Sequence, residues 1–180
     1  MKKIKGVLNK DDIEIIRKKM AQLKPGILPL PIFLEVSRLC VLSTIEIVPI
    51  RLEKNNSLQV LLIKRKKDDS NWPDMFHAPG TVVRETDREG NFKDAIKRIL
   101  TDELKNVKIE IGPIFVKPVF RNLGRGKEMT LMHWAIAKGS CPLGKYFNID
   151  SLPGNVIKKQ VKDIKMAVSH FKANYLKNKI

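Results

Sequence analysis

The chain has 180 residues, 43% of them hydrophobic and 30% charged, a balance that excludes a disordered or collagen-like protein and fits a globular one with a real core. No apolar run reaches the roughly 18 residues that span a bilayer, and the lysine-rich N-terminus lacks the apolar stretch and cleavage site of a secretory signal. With Cys40 and Cys141 far apart, neither a disulfide framework nor a metal knuckle is expected, and the natural setting is a reducing cytoplasm.

The net charge of +16 admits weak affinity for nucleic acid or another polyanion. Lysine, however, greatly outnumbers arginine and is spread over both termini and most loops, without aromatic interleaving. A solvated lysine-rich surface is the simpler reading.

In chain order, Ile13, Ile16, Met20 and Leu23 recur at spacings of three and four and predict an amphipathic helix over 11–23. Asp11 is its expected N-cap, and Pro25-Gly26 ends it. The prolines in Ile27-Leu28-Pro29-Leu30-Pro31-Ile32 each remove a donor, so an extended connector is expected there. The β-branched run from Cys40 to Leu52, a turn at Lys54-Asn55-Asn56-Ser57 and the run 58–63 predict a β-hairpin. A helix over 92–104 follows, with Phe92, Ala95, Ile96, Ile99, Leu100 and Leu104 as its buried stripe. Residues 114–120 and 129–137 read as strands flanking a loop at Asn122-Leu123-Gly124-Arg125-Gly126.

After Leu152-Pro153-Gly154, the residues Ile157, Val161, Ile164, Val168, Phe171 and Tyr175 mark a closing helix. Its stripe is expected to pack on the core, with a homodimer seam as the alternative. The order β-β-α-β-β-α points to a mixed sheet with helices on its faces.

The helix 92–104 also carries the chemistry. Glu103 falls four residues after Ile99 and seven after Ile96, on or beside the buried edge, where a carboxylate is costly unless paired or metal-bound. A boundary residue paired with a lysine is the plain alternative. Asp102 lies four residues after Arg98, so the two are expected to pair along the helix.

Together with Trp72, His77-Ala78-Pro79-Gly80-Thr81, the strand end Leu61-Leu62-Ile63-Lys64-Arg65 and the late Tyr146-Phe147-Asn148-Ile149-Asp150-Ser151-Leu152-Pro153, this helix makes residues 41–153 resemble a Nudix hydrolase. Gly80, Arg98, Leu100 and Glu103 match the Nudix box, and Asp102 stands for its penultimate glutamate. The departures are specific. Gly80 and Arg98 are 18 positions apart where the box has 14, and Gly90 stands where an intervening glutamate belongs. Only Glu85 or Glu89 lies close enough to replace it. Ile99 replaces the glutamate after the arginine, and Lys105 the last glycine. Arg-Ile-Leu-Thr-Asp-Glu-Leu is similar to the relaxed helix of the GDP-mannose mannosyl hydrolase branch, although residues 139–145 lack the histidine base of that branch.

The resemblance implies an α/β fold, a Nudix-type α/β/α sandwich with a mixed sheet plus N-terminal and long C-terminal helices. Residues 1–38 would form the N-terminal helix and connector, 39–153 the Nudix domain, and 154–180 a helix packed on it. It implies Mg²⁺- or Mn²⁺-dependent cleavage of a diphosphate bond in a small nucleotide substrate. Glu103, Asp102 and Arg98 would be the catalytic set, and Gly80, Asp102, Glu103 and Glu128 the metal set, with Gly80 acting through its carbonyl. Arg125 and Lys127 are candidates for substrate phosphate, the bland alternative being a basic hairpin tip. Trp72 would stack on a base or cover the hairpin core. His77 is a candidate base or a strand-end residue, His133 a core or pocket residue, and His170 a solvated one. The rival reading is a non-catalytic Nudix-fold module that binds a nucleotide, RNA or a protein partner.

Overall fold

A computed structural model describes residues 8–53, 57–88 and 92–177. Helix α1 (Lys10–Met20) is capped by Asn9 rather than Asp11: the Asn9 side chain accepts the Asp12 N–H at 2.8 Å. Its apolar residues Ile13, Ile16 and Met20 stay exposed, so the expected amphipathic helix forms but buries no stripe. Helix α2 (Leu30–Leu39) replaces much of the expected extended connector. Pro29 precedes it and Pro31 sits in its first turn, where a missing N–H costs nothing because the first amides of a helix have no partner in it.

Strands β1 (Leu42–Leu52) and β2 (Leu58–Lys64) form the predicted antiparallel hairpin, with Ile50 opposite Val60; residues 54–56 of its turn lie outside the described residues. Two short strands follow, β3 (Phe76–His77) on β2 and β4 (Gly80–Val82) on β1. Helix α3 (Lys93–Arg98) covers only the first half of the predicted helix. Residues 99–103 continue it as a wider turn, closed by the Leu104 N–H donating to the Ile99 carbonyl at 2.9 Å.

The next two strands are longer than expected. β5 (Val107–Leu123) and β6 (Gly126–Gly139) form one antiparallel hairpin whose tip is only Gly124-Arg125. A Cβ on Gly126 would lie 1.9 Å from the Ser37 carbonyl oxygen, so only glycine lets α2 sit on this hairpin. β7 (Gly144–Asn148) pairs with β2, and α4 (Lys158–Phe171) closes the fold.

The seven strands make one mixed sheet in the order β3-β2-β1-β6-β5, with β4 and β7 paired off that path and β1 parallel to β6. β1 is central and buried on both faces from Thr44 to Ile50, as a strand covered on two sides is. One face packs Val48, Val60, Leu62 and Trp134 against Ile164, Val168 and Phe171 of α4. The other packs Ile45, Ile47, Leu61 and Ile63 against Ala95 of α3 and Ile99. The expected α/β/α sandwich is therefore the observed fold, and the stripe of α4 is core. Among the described residues no helix is long and apolar enough to cross a membrane.

Candidate functional site

A cavity of about 160 Å³ opens where β1, β4, the wide turn and α4 meet. Gly80 sets its geometry. β4 pairs with β1 so that Gly80 faces Glu46, and a Cβ on Gly80 would come within 2.6 Å of the Glu46 side chain. This close approach brings the β4 backbone to Glu103, whose Oε2 accepts the Gly80 N–H at 2.6 Å. The turn that carries Glu103 has one extra residue relative to an α-helical turn, a feature found frequently at functional sites. The Cys141 thiol donates to the Glu103 carbonyl at 3.2 Å and anchors the end of the turn.

Burial pushes the Glu103 carboxyl up to about 7, against the opposing effects of the Gly80 amide and the Arg65 charge. It is a carboxylate whose charge is poorly compensated. The other two acids of the cavity are treated differently. Glu46 accepts two hydrogen bonds from Arg121, at 2.5 and 3.0 Å, and one from Gln160 at 2.7 Å. Burial nonetheless holds its carboxyl above the usual range. Glu128 accepts two hydrogen bonds from Arg125 and lies 3.9 Å from Arg121. Gln160 also accepts the Ala78 N–H at 3.2 Å, so α4 holds the strand that leads into Gly80.

Gly80, Glu103, Glu128, Arg125 and Trp72 thus share one cavity. Asp102 does not join them: it is exposed and accepts the Thr101 hydroxyl at 3.1 Å. Lys127 is also exposed and lines a neighbouring cleft instead. Arg98 pairs not with Asp102 but with Asp87, through both carboxylate oxygens, and donates to the Val82 carbonyl at 3.0 Å. The loop acid that meets Arg98 is thus Asp87. Glu85 is exposed, and Glu89 and Gly90 lie outside the described residues.

Trp72 sits with the Arg65 and Arg125 guanidinium carbons 5.5 and 5.4 Å from its ring centroid. His77 lines the cavity as a neutral ring, its Nδ1–H donating to the Ala78 carbonyl at 2.8 Å. Burial drives its pKa down to about 3, which makes it a poor proton acceptor at neutral pH. His133 donates to the Leu131 carbonyl and meets Phe115 edge-on. His170 is half-buried rather than solvated, accepting the Trp134 indole N–H at 3.0 Å.

Sequence reasoning missed Arg65, Glu46, Gln160 and Asp87 as site residues. Two had a legible signal. Glu46 is a lone carboxylate in the apolar run Thr44–Ile50, and Gln160 lies three residues after Ile157 and four before Ile164, on the buried stripe of α4.

Among the described residues no three His, Cys, Asp or Glu side chains converge as a closed metal cage. Mg²⁺ does not require one. It prefers oxygen donors, keeps several waters and is held by one or two carboxylates together with substrate phosphates. Glu103 and Glu128, with Gly80, line the same cavity and could supply such oxygen donors, and the poorly compensated charge of Glu103 would favour a cation.

Neither a protein-family model nor a curated protein sequence matches the chain. Solved structures do. The Nudix domain of NrtR from Shewanella oneidensis, solved with ADP ribose, is 17% identical with a TM-score of 0.55, over 86% of this chain and 97% of that one. An Ap4A hydrolase of C. elegans is 13% identical with a TM-score of 0.52, over 73% of this chain and 98% of that one. A MutT Nudix hydrolase from Burkholderia pseudomallei is 14% identical with a TM-score of 0.53, over 71% of this chain and 98% of that one. The likeness is one of fold: the protein has the Nudix fold.

Proposed function

We propose that the protein is a Mg²⁺- or Mn²⁺-dependent hydrolase of a diphosphate bond in a nucleoside diphosphate linked to another group. The observation that carries this reading is Glu103, a half-buried carboxylate raised to about 7 at the cavity wall, which accepts the Gly80 N–H and feels the Arg65 charge. Glu103, the Gly80 carbonyl and Glu128 would hold the cation. When bound, it would polarise the diphosphate and lower the pKa of a bound water.

The chain's own residues do the rest. Arg65 and Arg125 flank the cavity and would neutralise substrate phosphates. Trp72, between them in sequence, would stack on a base. Arg98 acts as a positioning residue, clamping Asp87 and Val82 so that Glu103 meets β4. Two of the fold relatives support a nucleotide ligand, one solved with ADP ribose and one named for a dinucleoside polyphosphate.

The test is turnover of a panel of ADP-ribose, GDP- and UDP-sugars, dinucleoside polyphosphates and nucleoside triphosphates, with Mg²⁺ or Mn²⁺. We expect metal-dependent turnover that falls on the order of a hundredfold in Glu103→Gln. Absence of turnover by folded protein would overturn the proposal.

One observation favours the second reading, a binding module. Glu46 and Glu128 are already paired with Arg121 and Arg125, which leaves fewer free carboxylates to hold a metal. Calorimetric binding of ADP-ribose in EDTA, unaltered by Glu103→Gln and without turnover, would establish that reading instead.

A further inference from the structure

The Glu103 cavity has an apolar neighbour. A cleft of about 480 Å³ lies between the segment 25–28, α2, the start of β1 and the end of β4. Leu28, Phe33, Val36, Leu42, Val82 and Val83 line it, each half-buried. Among the described residues Arg84 and Glu85 are the only charged groups in its lining. Its volume lies within the roughly 300–1,000 Å³ of small-molecule sites, whereas the Glu103 cavity, at about 160 Å³, falls below that range. A ligand whose diphosphate occupies the smaller cavity must therefore extend beyond it. The two spaces are joined in two ways. Thr81 and Val82 line both, and Val82 pairs with Thr44, so its side chain stands on the sheet face that carries Glu46. Along that face of β1, Leu42, Thr44 and Glu46 follow at two-residue steps of about 7 Å. Leu42 lines the apolar cleft, the other two the Glu103 cavity. The second link is Arg125 of the Glu103 cavity, whose guanidinium carbon lies 5.4 Å from the Trp72 centroid in that cavity and 5.3 Å from the Phe33 centroid in the cleft.

We infer that this cleft is the subsite for an aliphatic chain esterified to the distal phosphate of the nucleoside diphosphate. The inference rests on the reading of the Glu103 cavity as a diphosphate site, and it names the group to which that diphosphate is linked. A sugar, a base or a second nucleotide would leave hydroxyl and amide groups without partners among these side chains. An aliphatic chain has none to satisfy and gains from every methylene removed from water. Hydrolysis would add water across the P–O–P bond and release a nucleoside monophosphate and an alkyl phosphate. The cleft was not legible in the sequence, because α2, which forms one wall, reads there as extended chain.

Calorimetry in Mg²⁺ with two β-esters of α,β-methylene-ADP, n-octyl and methyl, tests the inference. The methylene bridge resists hydrolysis, so binding is read whether or not the protein turns substrate over. The octyl ester is expected to bind on the order of a hundredfold more tightly, at about fourfold per buried methylene with roughly half the added chain buried. Val36→Ser makes one wall polar and Val36→Phe fills the space, and each is expected to lower the octyl-to-methyl ratio about tenfold. Leu28→Ser, in a segment without helix or strand, is expected to lower it likewise, and melting curves verify that the variants are folded. Equal affinity of the two esters for the wild type, alongside metal-dependent turnover of the nucleotide panel, would overturn this inference and leave the hydrolase reading standing. An octyl preference unchanged in every folded variant would also overturn it, because the chain would then sit on other apolar surface, such as the exposed Ile13, Ile15 and Ile16 of α1. Absence of binding by both esters would overturn the diphosphate reading and the inference with it.

Discussion

At the scale of single residues, Glu103 sets the balance between stability and site chemistry. Burial raises its carboxyl from the ordinary 4.5 to about 7, so between those values the folded protein holds a proton that the unfolded chain has released. Stability therefore falls as pH rises from about 4.5 to about 7, then levels off. The full rise corresponds to roughly 3 kcal/mol, at ~1.4 kcal/mol per pH unit. Glutamine keeps an oxygen to accept the Gly80 N–H but carries no charge. Glu103→Gln should therefore be more stable than the wild type by about 2–3 kcal/mol at pH 8 and nearly equal to it at pH 5, as read from urea unfolding. Mg²⁺ at pH 8 should raise the melting temperature of the wild type and leave the variant unmoved. Parallel pH profiles for the two proteins would show that Glu103 is not the strained group.

At the scale of elements, the segment from Asp87 to Glu103 behaves as one piece. The Asp87 side chain is 6% exposed and that of Arg98 19%, and the hydrogen bonds from Arg98 hold the Asp87 carboxyl below its usual range. Removing either partner leaves the other half-buried without its countercharge. Asp87→Ala and Arg98→Ala should each cost about 1–3 kcal/mol, and the double variant little more than either single one. Both should also lower turnover, because the wide turn loses its tie to Val82. An additive double variant, measured by chemical denaturation, would show that the pair is not coupled.

This segment also shows what the chain made legible. Glu103 was readable because spacing fixes which residues share a helix face, and Gly80 and Arg98 because they match positions of the Nudix box. The partner of Arg98 was not, because a loop between Thr81 and Lys93 has no period from which to count. Periodicity likewise found β1, β2 and the buried stripe of α4. It missed α2, where the prolines of 29–31 mark a helix start as readily as an extended chain. β3, β4 and β7, of two to five residues, were too short to carry a pattern, and Glu46 entered the site only because β4 folds back onto β1.

At the scale of the whole molecule, Arg121 joins the parts. From β5 it contacts Glu46 on β1, Thr130 and Glu128 on β6, and Asp163 on α4. One buried cation thus holds the sheet and the closing helix in register beneath the cavity, and offsets carboxylates that could not otherwise be buried as charges. Burial still holds Glu46 and Asp163 above their ordinary values despite the Arg121 charge. Arg121→Met fills similar volume but removes the charge, and should cost on the order of 3–5 kcal/mol at pH 8. The pH dependence separates charge from packing. Without Arg121 the Glu46 and Asp163 carboxyls should titrate higher still, so the folded variant gains protons on acidification and part of the loss is recovered toward pH 5. A packing defect would cost the same at both values. Urea denaturation of Arg121→Met at pH 5 and pH 8, each against wild type, decides between them: a smaller deficit at pH 5 identifies charge balance as what Arg121 supplies, and an equal deficit identifies its shape.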